Sequence, residues 1–456
     1  MIIVENMTAE DRVSILLGNP RKAVLVMAVP LILSLLVSQV NVLADRAWCA
    51  GLGDDAMSAI AVVTPVYMTV VGLGSGIGVG ASAVISRMIG AQNKEKASST
   101  AVQAVIFGLF FGLVLTPILL LGQSDLLAVL SKDNILSITE DYMLPYTLFT
   151  IVIVFNGVIV GILNGQGATQ YSMYLTVIQA VMNIVLDPIM IYGLDMGIQG
   201  AAVATVIATM VSVAIGTLLI VSKRTYLPVS RSSLHYDRGC MHLLLLAGIP
   251  QMLEYAVLYF MDAVLNCIVL MSPEGSHALT VYSVPDNLMM LVVIPAMAIG
   301  SALVPVASSA LGQKDMGRMR QSFRFSLLAG VLSVFVLSMA VELFPDQCLY
   351  MFSYSGEMMD NRPEMVRILR VMCFYIFFFA FTPICSGYMQ AMGHPNRSLI
   401  LALYRNALLI AFYWIAIQQD DLVAIGYALV CGHSIAAMTI LAVTILTDRQ
   451  VSKKLS

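Results

Sequence analysis

The sequence predicts an all-α integral membrane protein, with twelve transmembrane helices in two six-helix lobes related by a parallel pseudo-twofold repeat. Three observations carry this prediction: composition, the spacing of the apolar runs, and an internal repeat. Of 456 residues, 59% are hydrophobic and 11% charged, whereas a soluble globular chain carries roughly 25% charged residues. Water cannot be the main solvent of such a chain. A bilayer-crossing helix needs about 20 mostly apolar residues, and runs of that length follow one another with short loops between them. They leave nothing over for a soluble domain.

Bounded by Gly, Pro or charge, the runs fall in order at 24–47, 56–84, 98–122, 139–164, 170–192 and 199–222, then at 241–271, 277–311, 322–343, 365–391, 398–418 and 422–447. The first 22 residues are polar and charged, and the first run is too long for the core of a cleaved signal peptide, so the N-terminus is expected to be retained. With both termini inside, most of the 24 Lys and Arg fall in the termini and the cytoplasmic loops. Among them are Arg87, Lys94, Lys96, Lys223, Arg224, Arg231, Arg238, Lys314, Arg318, Arg320 and Arg324. The positive-inside rule therefore sets the orientation and supports an even number of spans. Asp54, Asp55, Asp125, Asp133, Asp195, Asp346, Glu357, Asp420 and Asp421 fall in external loops. The longest of these, 344–364, reads as a solvated loop or a gating lid. The net charge of -3 describes the loops and points to no nucleic-acid partner.

The repeat appears when the halves are aligned. Pro30 then matches Pro250, Pro65 matches Pro285, Gly80 matches Gly300 and Gly90 matches Gly312. Further along, Phe155 matches Phe381, Gly161 matches Gly387, Gly167 matches Gly393 and Gly200 matches Gly426. Six spans per half is an even number, so both halves enter the membrane from the same side and the repeat is parallel. The expected organisation is an N-lobe over 1–222, a basic cytoplasmic linker over 223–240 and a C-lobe over 241–456. Such an architecture places a transported solute between the lobes.

A carboxylate inside the hydrocarbon costs at least about 2.5–3.5 kcal/mol, so each one is a functional hypothesis. Asp45, Asp187, Glu254, Asp262 and Asp286 qualify, with Arg405 as the intramembrane cation. Asn183 precedes Asp187 by one helical turn, so the two share a face, and Pro188 can loosen the backbone ladder there. Asp45 and Asp187 both lie near the outer ends of their spans. With Asn183 and the hydroxyl of Thr205 they would make an oxygen-lined site for Na+ or a shared proton. Asp45 beside Arg46 has a second, less favoured reading as an interfacial ion pair. Glu254 or Asp262 is expected to neutralise Arg405. Gln39, Asn41, Tyr142 and Asn156 are candidate polar substrate contacts. Thirty methionines, Met173 among them, suit either a cavity that accommodates many shapes or ordinary packing. Seven cysteines without a C-x-x-C pair read as small core residues.

The stretch Pro30 to Asp45, the Gly51-Leu52-Gly53 turn, Gly90-Ala91-Gln92, Asn183-x-x-x-Asp187-Pro188 and Gly197 to Thr205 together resemble the multidrug and toxic compound extrusion (MATE) family over nearly the whole chain. The resemblance is closer to DinF-like prokaryotic members than to NorM-like ones. It implies a monomeric antiporter of the plasma membrane that exports lipophilic, often cationic compounds by alternating access, coupled to H+ or Na+, with no other cofactor. At the matching positions it implies a cation site of Asp45, Asn183, Asp187, Ala201 and Thr205, and a bend of the first helix at Pro30. The tenth span lacks the acidic residue of NorM-like members, which puts a C-lobe cation site in doubt. A lipid-linked oligosaccharide flippase would share the layout but needs several buried basic residues. A major facilitator would carry a Gly-x-x-x-Asp-Arg-type loop where this chain reads Gly90-Ala91-Gln92-Asn93-Lys94. A membrane enzyme would need a nucleophile or metal cluster, and the five histidines are scattered.

The topology is tested with cysteines introduced at positions 231 and 420. An impermeant thiol reagent added outside should label 420 and spare 231, and the reverse pattern would invert the orientation.

Overall fold

Lipid leaves every backbone polar group to be satisfied within the chain, and the helix is the solution this composition selects. The computed structural model describes residues 7–131, 135–222, 224–227, 236–350, 359–419 and 421–455. Lys223, Arg231, His235, Asp133, Glu357 and Asp420, with much of the linker and the middle of the 344–364 loop, lie outside them. A short helix α1 (Ala9–Leu17) precedes α2 (Pro20–Cys49), α3 (Asp54–Gly90), α4 (Lys94–Leu130), α5 (Leu136–Leu148), α6 (Thr150–Gly165), α7 (Thr169–Pro188) and α8 (Gly197–Val221). The second half contains α9 (Arg238–Leu270), α10 (Ser276–Gly312), α11 (Met316–Leu343), the short α12 (Pro345–Tyr350), α13 (Arg362–Phe379), α14 (Phe381–Ala391), α15 (Pro395–Ala416) and α16 (Val423–Leu455). Among the described residues eleven helices or continuous helix pairs are long and apolar enough to cross a bilayer. The pair α5 and α6, bent by 52°, makes a twelfth. On α4, Phe110, Leu113, Leu121 and Val129 are all more than half exposed, an apolar surface made for hydrocarbon.

The repeat recurs as backbone geometry. After α3 the chain turns through Gln92 at φ 58° into α4, capped by the Asn93 side chain. After α10 it turns through Lys314 at φ 59° into α11, capped by Asp315. Likewise Gly167 at φ 74° and Gly393 at φ 78° make matching turns after α6 and α14, a left-handed conformation that glycine adopts without steric penalty. Two apolar cores result. One is built from residues between Val13 and Met252, joined by Ala298, Ile299, Ala302 and Val306 of α10, and the other from residues between Leu265 and Val451.

The helix at the centre is α3. Its run Gly72-x-Gly74-x-Gly76-x-Gly78-x-Gly80 places alternate glycines about 200° apart on the helix, so it has two bare faces. A Cβ on Gly74 or Gly78 would lie 2.6 Å from the Val154 carbonyl oxygen or 2.2 Å from that of Gly157, both on α6. On the other face, a Cβ on Gly76 or Gly80 would lie 2.5 Å from Met252 Cα or 2.6 Å from Gly248 Cα, both on α9. Farther along, a Cβ on Gly90 would meet the Ser309 carbonyl oxygen at 2.0 Å, and one on Gly312 would meet that of Arg87 at 2.1 Å. Helices of the two halves therefore touch backbone to backbone from the middle of α3 to the end nearest α1.

Within the polar first 22 residues, Ala9–Leu17 forms helix α1, with Leu16 fully buried. Thr8 and Asp11 cap it reciprocally. Arg12, 5% exposed, donates to the carbonyls of Met7 at 3.0 Å and Arg224 at 2.9 Å and lies over the Tyr171 ring. At its other end, the Leu16 carbonyl accepts from Ser309 Oγ at 3.3 Å and Arg318 Nη2 at 2.8 Å. This strap is fastened to both halves. Arg87 adds a further tie, donating to the Ala391 carbonyl at 3.0 Å. The cysteine expectation needs correction at two positions: Cys49, Cys240, Cys373 and Cys385 are buried, but Cys267 and Cys431 are exposed on outward faces.

Gly90→Ala and Gly312→Ala should each destabilise the protein by about 1–3 kcal/mol, the usual range for overpacking, and lower the thermal unfolding temperature in detergent. Gly122→Ala on α4, where a Cβ meets nothing within 4 Å, should leave it unchanged or raised.

Candidate cation and substrate site

Three helices of the first half each offer two positions one turn apart: Asn41 and Asp45 on α2, Asn183 and Asp187 on α7, Ala201 and Thr205 on α8. Local backbone features bring them together. Pro188 has no N–H to continue the ladder, and the chain passes into a π-helical turn over Ile189–Gly193, a device for such an interruption. Tyr192 in that turn donates to the Trp48 carbonyl at 2.6 Å, tying it to the end of α2. Gly51 makes room, since a Cβ there would lie 2.5 Å from the Tyr192 hydroxyl. Gly200 lets α8 close on the same turn, its Cβ position 2.7 Å from the Met190 carbonyl.

At the centre is Asn183, 1% exposed. Its Oδ1 accepts from Asn41 Nδ2 at 2.7 Å, while its Nδ2 donates to Asp187 Oδ1 at 2.9 Å and to Thr205 Oγ1 at 3.4 Å. Asn41 Nδ2 also lies 3.5 Å from Asp45 Oδ2, and the carboxyls of Asp45 and Asp187 are within side-chain hydrogen-bonding reach of each other. Asp187 is fully buried. Asn41 Oδ1, Asp45 Oδ1 and Asp187 Oδ2 are buried and have no hydrogen-bond partner. Unpaired buried acceptors are uncommon in native structures, and three oxygens around two carboxyls are the complement of a cation. A proton shared between the carboxyls, or a cation with oxygen ligands, would supply what these atoms lack. Thr205 is turned partly away, donating to the Ala201 carbonyl at 3.1 Å.

The substrate candidates divide. Asn41 belongs to the oxygen cluster. Tyr142 is buried and accepts from the Tyr146 hydroxyl at 3.2 Å, with Tyr67 packed on Tyr146 at 4.4 Å between centroids. Asn156 has both amide atoms engaged, donating to Gln179 Oε1 at 3.2 Å and accepting from Ser212 Oγ at 3.1 Å. Gln39 and Met173 are half-buried and stand outside these bonds. Pro30 lies buried within a continuous α2. Sequence reasoning missed the ladder that joins Asn156 to the oxygen cluster. Gln179 Nε2 donates to Thr209 Oγ1 at 3.1 Å, Thr209 donates to the Thr205 carbonyl at 2.7 Å, and Ser172 donates to Asn164 at 2.7 Å. Its signal was present in α7, where Ser172, Thr176, Gln179, Asn183 and Asp187 recur at three- and four-residue spacing on one face.

In the second half the expected pairing of Arg405 is not made as a direct ion pair, although Glu254 is the acid whose charge acts on it. Among the described residues no carboxylate lies within 4.0 Å of it. Both Glu254 oxygens instead accept hydroxyls, from Ser386 and Ser398, each at 2.8 Å. Asp262 is exposed, and Asp286 accepts from the Tyr375 hydroxyl at 2.9 Å. Short neutral donors replaced the distant cation. Away from the membrane-embedded groups, His277 Nε2 lies 3.2 Å from Glu364 and 3.7 Å from Glu274, an exposed cluster.

The family model described as MatE matches residues 30–189 and 250–415. Multidrug export protein MepA of Staphylococcus aureus is 24% identical over 433 residues, 94% of each chain. A crystal structure of MATE in complex with MaL6 superposes with a TM-score of 0.93 at 26% identity, covering 97% of this chain and 99% of that one. An outward-facing conformation of a multidrug resistance MATE family transporter of the MOP superfamily superposes with a TM-score of 0.91 at 26% identity, covering 97% and 98%.

Gln179→Leu should leave Asn156 Nδ2 and Thr209 Oγ1 without their partner. A loss of about 1–3 kcal/mol is expected for a buried group so abandoned, read as a lower unfolding temperature in detergent. A variant as stable as the wild type would mean the ladder is not a structural element.

Proposed function

This chain belongs to the MatE family, and we propose that it is a cation-coupled exporter of lipophilic, often cationic compounds. On this reading it works as a single chain in the plasma membrane with both termini cytoplasmic, in the manner of DinF-like rather than NorM-like members. The observation that carries the proposal is the Asp45 and Asp187 pair with its unpartnered oxygens. The printed names of the relatives, multidrug export and multidrug resistance, support the substrate class.

Two carboxylates in a poorly hydrated seam repel each other, and a proton or Na+ relieves that repulsion. While the pair is charged it attracts a lipophilic cation, and once neutralised it does not, so ion and substrate compete. Asn183 transmits the change, because it bonds α2, α7 and α8 at once and its partners shift when a carboxyl is neutralised. With the termini in the cytoplasm, the backbone contacts between α3, α9 and α10 close the cytoplasmic side, and substrate leaves outward. A ligand shifts a conformational equilibrium only by its differential affinity for the two states. Coupling must therefore appear as mutual weakening of binding.

Asp187→Asn keeps the acceptor for Asn183 and removes the charge. It should abolish coupled efflux of a fluorescent cation from vesicles at normal protein abundance, and Asp45→Asn should nearly do so. Imposing a proton or a sodium gradient identifies the ion that drives the wild type. Substrate affinity in detergent should fall as pH drops or Na+ rises, a dependence that Asp187→Asn removes. A wild-type affinity indifferent to both ions would refute direct competition.

A further inference from the structure

Around Phe379, where the tenth span breaks at Ala380, the second half gathers nitrogen-bearing side chains with no acid among them. Arg405, near the midpoint of α15, is 5% exposed, and its guanidinium carbon lies 5.7 Å from the Phe379 ring centroid. Its Nε and Nη2 donate to Asn406 Oδ1 at 3.3 and 3.2 Å. Those bonds fix the amide's orientation, and Asn406 Nδ2 is left buried with no acceptor. On the other side His433 meets the same Phe379 ring edge to face at 5.2 Å and stacks on Tyr375 at 5.2 Å. It is buried too, and its Nδ1 has no partner.

A buried guanidinium is normally matched by a carboxylate, because an unmatched charge in low dielectric is expensive. Glu254 lies near enough for its charge to be felt by Arg405, but its oxygens are taken by Ser386 and Ser398 and Asp286 accepts from Tyr375, so among the described residues no carboxylate directly ligates the guanidinium. The site around Asp45 and Asp187 leaves oxygens unpaired, and this one leaves nitrogens. We infer that the Arg405, Asn406 and His433 cluster is an anion subsite, taking the carboxylate of an amphipathic organic substrate. Guanidinium geometry suits a planar carboxylate, and the Phe379 ring offers an apolar face for the aromatic body that carries it. The inference rests on the export reading and narrows its substrates to those that carry a carboxylate beside the cation.

The test uses rhodamine B, a lipophilic xanthylium cation with a free carboxylate, and its ethyl ester, the same cation without that charge. Binding of each to the purified full chain is followed by fluorescence anisotropy. The wild type should prefer the acid by about ten- to a hundred-fold, the worth of a charge-assisted hydrogen bond. Arg405→Gln should bring the acid down to the affinity of the ester. His433→Phe, which keeps the stacking and removes the nitrogens, should shrink the preference in a protein that retains its core. Equal wild-type affinity for the two dyes overturns the subsite and leaves the export reading standing, as does a preference that survives Arg405→Gln. A wild type that binds neither dye removes the export reading and the subsite with it.

Discussion

The two bare faces of α3 are the constraint on which the rest of the structure depends. Lipid tails are as apolar as leucine, so helices in a membrane associate through close van der Waals contact, and small residues permit it. Glycine at every second position over Gly72 to Gly80 lets α6 approach on one side and α9 on the other at backbone distance. Through α6 the helix anchors the first core. Through α9 it sets where the second half begins. The α2, α7 and α8 cluster joins this frame through α6, which packs against both α3 and α8.

Within that frame much of the polar interior is paired, although single buried atoms without a partner also occur at positions such as Ser82, Gln123 and Ser308, away from the two places where they gather. Hydroxyls bond carbonyls one turn back, amides bridge helices, and Asn156, Gln179, Thr209 and Asn183 form a connected series. Satisfied networks of this kind specify a unique packing. The exceptions are therefore informative. The oxygens left over beside Asp45 and Asp187 and the nitrogens left over beside Phe379 mark where the protein holds polar capacity for something other than itself.

Much of this was legible in the sequence. Helix ends fall within a few residues of those read from the apolar runs, apart from extensions such as α4, which runs to Leu130, and α16, which runs to Leu455. Asn183 and Asp187 announce themselves by spacing, charge and the following proline. The helix α1 was not legible, because nine residues with one buried face look like a polar tail until the surface that receives Leu16 is known. The partner of Arg405 was misread because charge arithmetic ignores hydroxyls: Ser386 and Ser398 satisfy Glu254 from helices 132 and 144 residues away in sequence. Asn41 was assigned to substrate because its face on α2 was visible and its neighbour on α7 was not.

The strap at the N-terminus carries an implication for biogenesis. Leu16 is bonded by Ser309 and Arg318, 293 and 302 residues later in the chain. Translation adds about 5–20 residues per second, so this segment waits on the order of half a minute before Ser309 and Arg318 exist. In that interval Leu16 lacks the bonds that fasten it to the second half, and the membrane surface is a place for an amphipathic turn of this kind. A helix made before all twelve spans is thus among the last to reach its final position, and its docking reports that the second half has been inserted.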